Sequence, residues 1–137
     1  MNVNSMRASF PGSLAPWLSV RNGAAAVEFY KLAFGAVEVF HLEGEEGGVV
    51  SRLSIEGAEF WLSDESPEYG NFSPQTLGGA TARMILTVAD PDAVFAQALR
   101  AGASQVSPVT EGNGWRVGRV VDPFGHHWEV GRPLTTA

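Results

Sequence analysis

Apolar and polar positions follow the same order in two parts of the chain that lie about half its length apart. In each part, a short apolar run precedes a stretch with apolar residues at helical spacing, and a Gly-Ala pair follows. Val20 lies 15 residues before Gly35, and Val88 lies 14 residues before Gly102. A repeat of this length predicts two copies of one supersecondary unit that share a core.

The first copy predicts one helix and four strands in the order β-α-β-β-β. Asn22 can cap the helix, whose apolar positions form a stripe until Gly35 ends it. Apolar runs or alternation predict the strands, and Glu56-Gly57 predicts a tight turn between the last two. The predicted strands span residues 14–20, 37–42, 49–55 and 58–63.

The second copy predicts the same order again. Asp90 can cap its helix, with Pro91 in the first turn, and Gly102 ends it. Its predicted strands span residues 81–88, 104–109, 115–121 and 126–130. The sequence therefore predicts an α+β fold of tandem βαβββ modules, whose strands form a curved mixed sheet around a cleft.

One domain is expected, because 137 residues can bury most of their apolar surface in a single core. Two prolines and three glycines with little periodicity indicate a linker between the modules. The expected segments are a flexible N-terminal arm (1–13), a first module (14–63), a linker (64–79), a second module (80–131) and a tail (132–137).

Composition and charge exclude several classes of partner. The net charge is −6 and Lys and Arg do not cluster, so neither a nucleic acid nor an anionic membrane surface is expected. The chain has no cysteine, which excludes disulfides and thiolate ligands. No apolar stretch approaches the roughly 18 residues of a membrane span, and the first residues lack the pattern of a signal peptide. A cytoplasmic protein is expected.

Two segments carry a family resemblance. One is residues 16–20 (PWLSV) with 26–30 (AVEFY) and 34–36 (FGA), and the other is residues 114–129, whose core reads DPFGHHWE. An Asp-Pro turn with glycine two residues later fixes a hairpin in that core. These segments resemble the vicinal oxygen chelate superfamily, which includes glyoxalase I, bleomycin-resistance proteins, fosfomycin-resistance enzymes and extradiol dioxygenases. The resemblance covers residues 14–131 and implies the glyoxalase/bleomycin resistance fold.

In the metal-dependent members, the resemblance implies four metal-ligand positions, on the first and last strands of each module. Here these positions fall on Ala15, Trp61, Arg83 and Glu129. Only Glu129 can bind a divalent cation, because alanine has no donor atom, tryptophan offers only an N–H, and arginine is a cation. A catalytic metal typically needs about three protein ligands. Neither a metal nor another cofactor is therefore expected.

Side-chain alternation places further residues on the same faces as these four positions. Trp17 and Ser19 share a face with Ala15, and His127 shares one with Glu129. By resemblance, Trp115 and Arg119 also face the cleft, while Arg116 points away. The expected ligand-binding residues are Trp17, Ser19, Trp61, Arg83, Trp115, Arg119, His127 and Glu129. Indoles stack on rings and arginine binds oxyanions, so a small planar or anionic organic ligand is expected, as in drug sequestration.

Several alternatives stay open at this point. Trp17 and Trp61 can plug the cleft, and Arg83 and Glu129 can form a purely structural ion pair. The chain can also be a metal-dependent lyase, isomerase or dioxygenase with a nonstandard site, using Glu129 with His127 or Glu59. A third alternative is a structural partner protein without a ligand. Proteins of this resemblance commonly pair, and short edge strands favour a two-fold homodimer.

Overall fold

The computed structural model describes residues 10–44 and 46–135. Most of the expected N-terminal arm and the last two residues of the tail lie outside the described residues. The first module contains β1 (Trp17–Val20), α1 (Gly23–Phe34), β2 (Val37–Glu43), β3 (Val49–Ile55) and β4 (Ala58–Asp64). The second contains β5 (Arg83–Thr87), α3 (Pro91–Ala101), β6 (Ser104–Gly112), β7 (Trp115–Val121) and β8 (His127–Pro133). The α+β class and the tandem βαβββ order are confirmed.

The helix boundaries follow from capping residues at both ends. Asn22 accepts a hydrogen bond from the Ala25 backbone N–H at 3.1 Å, and Asp90 accepts one from Ala93 at 3.2 Å. Gly35 ends α1 in the left-handed region, at φ 67°, where a glycine carries no steric penalty. The caps read from the sequence therefore set the start of each helix.

The strand boundaries differ from the prediction at several ends. β1 begins at Trp17 rather than at residue 14, because Pro16 has no N–H to donate to a ladder. The Pro16 carbonyl still accepts a hydrogen bond from Trp61 at 2.9 Å. β5 is shorter than predicted, whereas β6 and β8 continue to Gly112 and Pro133. Backbone hydrogen bonding between strands determines where each strand begins and ends. The apolar pattern of the sequence does not reveal that pairing.

The predicted linker contains structure of its own. A 3-10 turn covers Pro67–Tyr69, and a one-turn helix, α2, covers Pro74–Leu77. Ser73 caps α2 by accepting a hydrogen bond from Thr76 at 3.2 Å. Glu65 binds the Ser73 backbone N–H at 2.9 Å, which ties α2 to the end of β4. A four-residue helix is too short to produce a periodic pattern, so the sequence predicts only a loop there.

Each module forms one four-stranded sheet. The strand orders are β1-β4-β3-β2 and β5-β8-β7-β6, with the first pair parallel and the others antiparallel in each sheet. The helices cover one face of each sheet. No helix of the described residues is both long enough and apolar enough to cross a membrane.

The helix-bearing faces of both sheets pack into one core. Trp128 of the second sheet points into this core, where its ring centroid lies 4.7 Å from that of Phe34 and 5.5 Å from that of Phe60. Helices α1 and α3 lie side by side, and Gln97 Nε2 donates to the Leu32 carbonyl at 2.8 Å. Because both sheets turn their helix-bearing faces inwards, their opposite faces point away from each other.

The two modules meet at a cavity of about 520 Å³, whose walls include Ala15 and Glu59 of the first module and Arg83 of the second. The sequence predicts one curved sheet around a cleft, and the described residues form two four-stranded sheets that share one core. Side-chain alternation shows which residues share a face of a strand. It does not show which face of a module turns towards the other module.

Candidate functional site

The free face of the first sheet carries a pair of stacked tryptophans. We define the first outer face as the side of β1–β4 that points away from the helices. The parallel register pairs Trp17 with Trp61, which brings their side chains together on this face. Their rings are nearly parallel, at 7°, with centroids 5.2 Å apart. The expectation that Trp17 and Trp61 share a face is confirmed.

Polar contacts fix the orientation of these rings. Trp17 Nε1 donates to Ser63 Oγ at 2.9 Å. The Arg52 guanidinium lies 5.2 Å from the centroid of the Trp61 ring, and Phe40 lies 5.7 Å from it. Arg52 also pairs with Glu59, with 3.5 Å between Nε and Oε1. Cation–π attraction and stacking therefore hold an ordered aromatic surface in place.

Trp17 stays largely open to solvent. Its exposed fraction is 53%, so its ring does not fill an enclosed hole in the single chain. Trp17, Ser19 and Ser63 line a groove of about 600 Å³ on the first outer face. Sequence reasoning placed Ser19 on this face and did not single out Arg52 or Phe40.

The free face of the second sheet carries a cluster of charges. We define the second outer face as the side of β5–β8 that points away from the helices. Arg119 lies directly opposite Glu129, and Arg83 lies opposite His127. Arg83 Nε donates to Glu129 Oε2, and Arg119 Nη2 lies 3.6 Å from Glu129 Oε1. Arg83 therefore pairs with Glu129, which is one of the alternatives that the sequence leaves open, and Arg119 is a second partner.

Two cavities flank this cluster on the second outer face. The smaller cavity, of about 210 Å³, is lined by Arg83, Arg119, His127 and residues 80–82. The larger, of about 340 Å³, contains Trp115, Val117 and Ile85 and reaches Glu129. His127 Nδ1 is buried and has no hydrogen-bond partner among the described residues.

Arg116 points away from this face, as expected. It binds both carboxylate oxygens of Asp92 on α3, at 2.7 and 2.6 Å. These hydrogen bonds lower the pKa of the Asp92 carboxyl. Arg116 thus connects β7 to α3. Because it lies on the opposite face of the same strand, it serves as a control for Arg119.

The four family metal positions do not offer a set of metal donors. Trp61 stacks on Trp17, Ala15 and Arg83 line a cavity of about 520 Å³, and Glu129 is held by two arginines. Within residues 10–44 and 46–135, no group of three or more His, Cys, Asp or Glu side chains could hold a metal ion. Two guanidinium groups beside one carboxylate repel a divalent cation, so these residues do not fit one.

The expected binding residues fall into two sets. Trp17, Ser19 and Trp61 lie on the first outer face; Arg83, Trp115, Arg119, His127 and Glu129 belong to the second. The grooves on the two faces share no lining residue in the described part of the chain. The two grooves are therefore distinct, while the cavity of about 520 Å³ between the modules takes in Glu59 of the first and Arg83 and Ile85 of the second.

Known proteins are similar to this chain in sequence and in fold. A family model for a glyoxalase-like domain matches residues 17–131. An uncharacterized protein of Mycobacterium tuberculosis (strain H37Rv) is 39% identical over 137 residues, covering 96% of this chain and 80% of that protein.

Solved structures match almost the whole chain. An Arabidopsis thaliana gene product superposes with a TM-score of 0.66 at 33% identity, covering 87% of this chain and 95% of that one. TnmS3, an antibiotic binding protein from Streptomyces sp. CB03234, superposes with a TM-score of 0.66 at 20% identity, covering 90% and 98%. At 20% identity, the second likeness shows a shared fold alone.

Proposed function

We propose a ligand-binding role for this chain, which belongs to the glyoxalase-like domain family of the vicinal oxygen chelate superfamily. The ligand is a small planar or anionic organic molecule, bound on the outer faces without a metal ion. Drug sequestration is one role of this kind. TnmS3, which has the same fold, is described as an antibiotic binding protein and so gives this role a precedent.

The exposed tryptophan stack is the observation that carries the proposal. An indole left half in water forgoes the stabilisation that burial of a large apolar surface provides. Here the ring of Trp17 is nevertheless held flat against Trp61, and its N–H is bonded to Ser63. A flat, ordered, exposed aromatic surface is suited to stacking on a planar ligand.

A second copy of the chain would complete the site. Each chain presents an aromatic face and a charged face that point away from each other, and neither encloses a ligand alone. In a two-fold dimer, the first outer face of one chain would oppose the second outer face of the other, giving two equal clefts. The exposed fractions of Trp17 and Ile85 are 53% and 58% in the single chain. The dimer would bury both apolar side chains, and this burial supports the arrangement.

A metal-dependent enzyme is the alternative function. Glu129 and His127 lie two residues apart on one face of β8, which could supply two ligands. Glu59 belongs to β4 of the first sheet, where it pairs with Arg52, and it lines the cavity of about 520 Å³ that Arg83 also reaches. The arginines around Glu129 favour an anion over a cation at this position.

Thermal unfolding with a panel of planar compounds tests the proposed function. Suitable probes are doxorubicin, 1-pyrenemethanol and biphenyl-4-carboxylate, which differ in charge. A ligand at about 100 times its dissociation constant adds roughly 2.7 kcal/mol of stability. We expect at least one probe to raise the melting temperature of protein whose metal content is below stoichiometric. No shift with any probe, or binding that requires stoichiometric metal, would refute the proposal.

A further inference from the structure

The chemistry of the second outer face identifies the ligand class more closely. Resting on the proposed function, we infer that Arg83 and Arg119 bind the carboxylate of an aromatic monocarboxylic acid, whose rings occupy the cavity of Trp115, Val117 and Ile85. Glu129 acts as a positioning residue that orients both arginines. The two adjacent cavities, one polar and one apolar, carry this inference.

The sheet register places the two arginines on either side of β8, one row apart. Glu129 lies between Ile85 and Arg119 in one row of residues across the sheet, and His127 lies beside Arg83 in the next row. Successive rows on one face are about 6.6 Å apart, since each strand residue rises about 3.3 Å. A carboxylate between these rows would lie within reach of both long guanidinium side chains.

The arginines keep hydrogen-bond donors for a ligand. Arg83 binds Glu129 through Nε, and its terminal nitrogens have no hydrogen-bond partner within the described residues. The contact of Arg119 with Glu129, at 3.6 Å, is an ion pair longer than a hydrogen bond. Both side chains are partly exposed, at 57% and 31%. A guanidinium with unused parallel N–H groups matches the geometry of a carboxylate.

Local charge favours a singly charged anion. Arg83, Arg119 and Glu129 together have a net charge of +1, whereas the net charge of the chain is −6. One carboxylate neutralises the cluster. A dianionic phosphate would leave one negative charge without a partner in an acidic protein, so the geometry supports a carboxylate better.

The apolar cavity sets the size of the rest of the ligand. His127 in the polar cavity and Gly131 in the apolar cavity are four residues apart on β8, or about 13 Å. Trp115 adds an indole surface to the apolar end. A molecule of about 10 Å with two linked rings, such as biphenyl-4-carboxylate, spans both cavities on this scale.

Calorimetric titration with two matched probes tests this inference. Biphenyl-4-carboxylate and its neutral isostere biphenyl-4-carboxamide differ in the group that the arginines would bind. We expect the wild-type protein to bind the carboxylate at least about tenfold more tightly, with a preference that weakens as salt is added. Arg119→Met should remove this preference. Arg116→Met changes the same residue type on the opposite face of β7 and should keep it.

The outcomes separate the inference from the proposed function. Equal binding of the two probes by the wild-type protein, an unchanged preference in Arg119→Met, or no binding of either probe would overturn the inference. Tighter binding of biphenyl-4-yl phosphate than of the carboxylate would also overturn it. Binding of doxorubicin or 1-pyrenemethanol in the panel would still support the proposed function. Circular dichroism and melting temperature verify that each variant is folded.

Discussion

The hydroxyl of Tyr30 donates a hydrogen bond to Asp122, and this contact joins the two modules across 92 positions of sequence. Both residues are buried. Asp122 also accepts hydrogen bonds from Trp128 Nε1 at 2.9 Å and from the backbone N–H groups of Phe124 and His126. Its carboxylate thus orders the DPFGHHWE turn and attaches it to α1 of the first module.

Removal of the Tyr30 hydroxyl should weaken this connection between modules. We expect Tyr30→Phe to lower the free energy of unfolding in urea by about 1–2 kcal/mol, because Asp122 loses one partner in a buried environment. Tyr69→Phe is the matched control, since Tyr69 is 81% exposed and should change nothing. Equal stability of Tyr30→Phe and wild type would show that the contact contributes no net stability.

The same contact predicts a dependence of stability on alkaline pH. Burial, and then the charge of Asp122, raise the pKa of Tyr30 well above the usual 10.0. The neutral phenol is favoured in the folded state, so this contribution is fully present below pH 10 and falls as the pH rises above it. Wild type should therefore lose more stability than Tyr30→Phe between pH 9 and about 11. Parallel denaturation curves for the two proteins over that range would contradict the prediction.

His41 should titrate above its ordinary range. Its Nδ1 lies 2.7 Å from Glu38 Oε2, and its Nε2 lies 3.4 Å from Glu43 Oε1. These hydrogen bonds, the one to Glu38 first, raise the pKa of His41 above 6.5. An NMR titration should show this shift, and Glu38→Gln should reduce it while Glu28→Gln leaves it unchanged. A pKa of His41 at or below 6.5 in the wild-type protein would count against the contact.

A charge on the second outer face should prevent assembly. Ile85 lies in the middle of edge strand β5, and its side chain is exposed in the single chain. We expect a dimer by light scattering for wild type and a monomer for Ile85→Lys, because burial of an ammonium group in a cluster that already has a net positive charge is costly. Leu32→Lys, on an exposed position of α1 at 66%, should remain dimeric. A wild-type monomer over a wide concentration range would refute the two-copy cleft.

The repeat, the helix caps and the faces of individual strands could be predicted from the sequence. The turn at Glu56-Gly57 even fixes the pairing of Arg52 with Trp61, so the cation–π contact was within reach of sequence reasoning. The relative orientation of the two modules could not be predicted from the sequence. It depends on aromatic contacts such as that between Phe60 and Trp128, which join residues 68 positions apart and leave no local pattern.

The central claim is that the exposed Trp17 ring is a ligand-binding surface. The effect of Trp17→Ala on ligand affinity and on the free energy of unfolding tests this claim most directly. If the Trp17 ring is a binding surface, affinity for doxorubicin or 1-pyrenemethanol, whichever binds the wild type more tightly, should fall by about 1–3 kcal/mol, or roughly 5- to 150-fold. The free energy of unfolding should fall by less than about 1 kcal/mol, and Tyr69→Ala should change neither quantity. A stability loss of about 3–5 kcal/mol with unchanged affinity would instead make Trp17 a core residue and contradict the account.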